Sequence, residues 1–63
     1  MDYNRMCVLI REMAENSMII FSDEDREFIL GLQTMLEIGE SIPASYGERV
    51  ARIHAEYEQN QHL

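Results

Sequence analysis

The chain contains no lysine. Its five cations are all arginines, set against twelve acids for a net charge of −7. A protein that grips nucleic acid must displace phosphate counterions with cations, and a body this acidic is repelled instead. Direct DNA or RNA binding is therefore excluded as an expectation. There is one cysteine, Cys7, so no disulfide forms within a chain, and a lone thiol suits a reducing compartment. No apolar run approaches the ~18 residues that span a bilayer. The opening stretch MDYNRMCVLI has an acid at its second position and no small-residue cleavage site behind its short apolar run, which does not match a secretion signal. These absences predict a soluble protein of the cytoplasm with no membrane association.

The 63 residues make a single small domain spanning 1–63. A chain so short buries only about 60% of the surface it exposes when unfolded. It needs a second copy or a well-packed helical core, since disulfides are excluded. A homodimer is expected.

The apolar positions repeat with helical spacing. Tyr3, Met6, Ile10 and Met13 lie along one face of a first helix near 3–16, and Cys7, Val8 and Leu9 widen that face until burial on more than one side is predicted. The stretch SMIIF at 17–21 reads as an extended connector. Ser22 is placed to cap a second helix near 23–38 by accepting from the backbone N–H near Asp25, with Asp23, Glu24 and Asp25 complementing the positive end of its dipole. Phe28, Ile29, Leu32, Met35 and Leu36 form its apolar face. Gly31 interrupts it, which suggests close approach of another helix, and Gly39 stands where a left-handed residue ends a helix. Pro43 suits the first position of a third helix near 43–59. Tyr46, Val50, Ile53 and Tyr57 give that helix a heptad-like seam, shared with Ala51 and the stem of Arg49. The fold class predicted is all-α: three short helices, with helices 2 and 3 as a helical hairpin and the N-terminal helix packed across it. Either helix 1 or the seam of helix 3 is expected to seal the dimer.

The charge is concentrated in residues 22–41, where Arg26 faces Asp23, Glu24, Asp25, Glu27, Glu37 and Glu40, net −5. The acid cluster does not form a calcium loop, because the sixth residue from Asp23 is Phe28 and not the glycine that such a loop turns on. A helix start accounts for Ser22 and the acids together. His54 and His62 are eight residues apart and Cys7 is remote, so the tight paired spacings of zinc sites are missing. His54 is expected as a surface partner of Glu58 one turn on, and Cys7 as a buried, inert thiol. The five methionines are expected mainly as core filling. The glycines form no phosphate-cradling loop. No catalytic, cofactor-binding or metal residue is assigned, no cofactor is expected, and the chain is read as non-enzymatic.

The stretch IIFSDEDREFILGL, residues 19–32, together with the length of the chain, resembles the small open-reading-frame proteins encoded between the exo and xis genes of lambdoid phages. That family is short, acidic, helical and expressed early. The resemblance implies a phage accessory protein in the bacterial host cytoplasm, acting by protein–protein interaction in early infection or the lysis/lysogeny decision. It carries over no catalytic residue. Residues 22–53 are also similar to a helix–turn–helix hairpin common in phage replication-associated proteins. There the second helix opens with Ser or Thr and then Gln; here Pro43 and Tyr46 take those places, so the likeness extends to the hairpin alone.

The expected partner is a host or phage protein. Its contact is assigned first to Asp23, Glu24, Asp25 and Glu27, as an acidic face for a basic partner, and then to Tyr3 and Met6 as exposed apolar residues of helix 1. An acidic DNA mimic that occupies the nucleic-acid site of a host protein is the alternative. It calls for carboxylates spread along one face, whereas these bunch within five residues.

Overall fold

The computed structural model describes residues 2–16 and 22–61. It has three α-helices, α1 (Tyr3–Glu15), α2 (Asp23–Glu37) and α3 (Gly47–Gln61), the last entered through a 3-10 turn at Ala44–Tyr46. There is no strand among the described residues. Helices α2 and α3 form a hairpin, and α1 packs against both. The expected connector at 17–21 lies outside the described residues.

Local chemistry sets the helix ends. The Ser22 hydroxyl accepts from the Asp25 N–H at 3.2 Å, and Asp23, Glu24 and Asp25 occupy the first turn of α2, as the sequence implied. At the other end the Gly39 N–H donates to the Leu36 carbonyl and the Glu40 N–H to the Met35 carbonyl, with Gly39 at φ +81°. That pair of bonds is a Schellman closure, and it needs the left-handed residue that glycine supplies. Helix α1 ends differently: the Asn16 Nδ2 donates to the Glu12 carbonyl at 2.8 Å and satisfies one of the open carbonyls of the last turn. Pro43 is not the first helical residue. It stays extended (ψ 135°), and its carbonyl accepts from the Tyr46 N–H, which starts the 3-10 turn one residue later.

The core is built from Met6, Leu9, Ile10 and Met13 of α1, Ile29 and Leu32 of α2, Ile42 of the connection, and Val50, Ile53 and Tyr57 of α3. Ala14, Phe28, Met35 and Leu36 pack at its margin. Met6 and Met13 are thus core filling, as expected, and Met35 is partly so.

Three expectations are corrected. Helix α1 buries one broad face only: Val8 is 53% exposed and Cys7 half-buried, because they lie on the side turned away from α2 and α3. Tyr46 leaves the α3 seam and sits at the surface, edge-on to Phe28 with ring centroids 5.5 Å apart. Gly31 does not admit a neighbouring helix, since a Cβ there meets nothing within 4 Å. The close approach is at Gly47, which is buried and whose added Cβ would stand 3.9 Å from the Met6 Sδ.

These positions make a paired prediction. Gly31→Ala adds helix propensity at an open site and should stabilise the protein by about 0.5–1 kcal/mol. Gly39→Ala forces an L side chain into the left-handed region and should destabilise it by about 1–2 kcal/mol. Urea denaturation of both variants checks the signs; equal signs would mean that the α2 terminus is not closed as described.

Candidate interaction surface

The acidic start of α2 divides into two parts. Asp23, Glu24 and Glu27 point to solvent, and the Glu24 side chain is 87% exposed. The Asp25 carboxylate is tucked in and lies 3.8 Å from an Arg49 guanidinium nitrogen, which is the same distance from Glu24. Arg49 crosses from α3 with its guanidinium over the Phe28 ring, 4.1 Å from the centroid. Among the described residues, Arg49 is the cation from another helix that pairs with the cluster. At this separation and exposure such ion pairs contribute ~0–1 kcal/mol, so Arg49 offsets the acids only in part. Further along the outward face of α2 come Leu30, Thr34 and Ile38. The carboxylates do not continue into the row that a DNA mimic calls for.

Tyr3 and Met6 are brought together, though not as two exposed residues. Met6 is buried, while Tyr3 remains 42% exposed with its hydroxyl accepting from the Ile42 N–H at 3.1 Å. The bond ties the connection between α2 and α3 to the first turn of α1. Both residues line a groove of about 240 Å³ with Ala44, Gly47, Glu48 and Ala51. Neither acidic nor aromatic spacing in the sequence pointed to this groove, because its two walls are forty residues apart in the chain.

His54 is a second correction. It is not a surface residue but only 9% exposed. Its Nδ1 lies 3.5 Å from the Glu58 carboxylate, as the i, i+4 spacing suggested, and its Nε2 lies 3.2 Å from the Glu12 carboxylate of α1. The two carboxylates approach opposite edges of the ring, so they cannot converge on one ion. Among the described residues no group of three His, Cys, Asp or Glu side chains could hold a metal. Close by, the Asn16 Nδ2 donates to the Tyr57 hydroxyl at 2.9 Å. Glu12–His54 and Asn16–Tyr57 together clip α1 to α3 along the edge of the core.

Cys7 is half-buried, not fully buried, because it flanks the stripe that Met6 and Ile10 turn inward. No hydrogen bond or ion pair links it to His54. Of the seams expected to seal a homodimer, the one on α3 is consumed: Val50, Ile53 and Tyr57 are buried within the chain itself. Helix α1 turns Asn4, Arg11 and Glu15 outward around Val8, a largely polar face. Among the described residues the most exposed large apolar side chain is Ile38, at 64%. No described helix is long and apolar enough to cross a membrane.

The chain matches no protein-family model, no curated protein and no solved structure.

Proposed function

We propose that the chain is a non-enzymatic accessory protein that works by contact with another protein, in the early-infection setting implied by its resemblance to the exo–xis family of lambdoid phages. The observation that carries the proposal is the charge at the start of α2, where Asp23, Glu24 and Glu27 face solvent and, among the described residues, Arg49 pairs with the cluster only at Glu24 and Asp25. On a body of net charge −7, such a field favours basic partners and speeds their encounter. The groove volume of about 240 Å³ falls below the ~300 Å³ of small-molecule sites, which supports a protein over a metabolite as ligand. The host cytoplasm is the compartment in which such a protein acts.

Expression of the chain in a lysogenic host, with lysogenisation frequency and host growth as readouts, tests the proposal. The wild type is expected to shift one of them, and the triple variant Asp23→Asn, Glu24→Gln, Glu27→Gln is expected to lose the shift while remaining helical by circular dichroism. A variant as active as the wild type would remove the acidic face from the contact.

Self-association belongs to the same proposal, on a surface other than the α3 seam. Light scattering over a concentration series is expected to show a mass of two chains that falls to one in Ile38→Glu, a substitution that leaves the core alone. A one-chain mass for the wild type throughout would withdraw the dimer.

A further inference from the structure

The groove between the first turn of α1 and the start of α3 has a composition that specifies its occupant more closely than its size does. Among the described residues Glu48 is the one charged residue of the lining, and its carboxylate makes no hydrogen bond or ion pair with any of them. Tyr3 stands at the edge with its hydroxyl already engaged by the Ile42 N–H, so it is the ring that remains to make new contact. Met6, Ala44, Gly47 and Ala51 supply an apolar floor and wall. An apolar trough beside an aromatic ring and one unpaired carboxylate is complementary to a side chain with an aliphatic stem and a cationic head. Long cationic side chains lay their methylenes on apolar surface and keep the charge at the rim. A guanidinium in addition stacks on aromatic faces and forks onto carboxylates, which an ammonium does less well.

The chain already contains one such arrangement. Arg49 lies over the Phe28 ring and reaches Glu24 and Asp25. The groove repeats the parts, with Tyr3 in the place of Phe28 and Glu48 in the place of Glu24, but among the described residues no cation lines it. We propose that this groove receives the side chain of an arginine presented by a basic segment of a partner protein. The inference rests on the reading that the chain works by protein contact, and it adds a specific anchor point to the diffuse attraction of the acidic α2 start.

Three short basic peptides, identical except for arginine, citrulline or leucine at one central position, test it when titrated into the full chain at low salt and followed by backbone amide shifts. Citrulline keeps the shape of arginine and removes its charge. The arginine peptide is expected to bind about tenfold more tightly than the other two, between the values for an exposed and a desolvated cation–π contact, with shifts at Tyr3, Met6, Gly47, Glu48 and Ala51. Glu48→Gln should bring its affinity down to that of the citrulline peptide. Equal affinities with shifts confined to Asp23–Glu27 would overturn the arginine site and leave the acidic contact standing. Tightest binding by the leucine peptide in the groove would overturn the cationic occupant. No binding by any of the three would overturn both the site and the acidic contact with basic partners.

Discussion

Ile10→Ala is expected to leave a large share of the protein unfolded at 37 °C. Ile10 is fully buried on the one helix that packs against both others. Truncating a buried isoleucine removes its transfer free energy and leaves a cavity, a loss of about 2–5 kcal/mol. A chain of this length has a total stability of only about 3–9 kcal/mol at the usual per-residue values. The substitution therefore takes away about a fifth of what holds the fold at the least, and all of it at the most. There is little scope for relaxation, since α1 cannot move toward α2 to close the cavity without leaving α3. Val8→Ala, two residues earlier on the same helix, is the control. Its side chain is mostly in water, and the change should stay within about ±0.5 kcal/mol. Urea denaturation followed by far-ultraviolet circular dichroism measures both. With a slope near 1 kcal/mol per molar urea for so small a protein, the Ile10→Ala midpoint should fall by about 2 M or more. Equal midpoints for the two variants would mean that α1 is not the element on which the core is built.

The second large effect is at Tyr57. Its ring is 2% exposed at the far end of the core, with the His54 ring 5.6 Å away centroid to centroid and its hydroxyl accepting from Asn16. Tyr57→Ala removes the largest fully buried side chain among the described residues and should destabilise by about 3–5 kcal/mol. Tyr57→Phe separates the two contributions. It keeps the packing and loses the hydroxyl and its bond from Asn16, which is worth about 0.5–1.5 kcal/mol. At about 4–8 °C per kcal/mol for a domain of this size, thermal melting should resolve the phenylalanine variant from the wild type and show the alanine variant largely unfolded. A Tyr57→Phe variant as damaged as Tyr57→Ala would place the hydroxyl network, and not the ring, at the centre of the α1–α3 contact.

The three helices and most of their ends could be read from the residues alone, because they depend on interactions that close within a turn or two. The spacing of Met6, Ile10 and Met13, the Ser22 hydroxyl three residues before the Asp25 N–H, and Gly39 behind Leu36 are local patterns, and local hydrogen bonding and burial enforce them. The same is true of the acidic start of α2, whose position at a helix N-terminus followed from its neighbours in sequence. Apart from Pro43, whose 3-10 turn is local, the readings that missed turned on a partner distant in the chain. Gly31 and Gly47 look alike as glycines among helical positions, and only the path of α1 makes Gly47 the point of close approach. His54 shows its i, i+4 carboxylate in sequence, but its burial and its second carboxylate, Glu12, exist because α1 lies alongside α3. The seam of α3 carries the spacing of a dimer interface, yet α1 fills it within one chain. The groove of Tyr3, Met6 and Glu48 belongs to the same class. Periodicity sets which side of each helix is apolar; which apolar side meets which is a choice among packings, and it is fixed by the joint burial of all three faces.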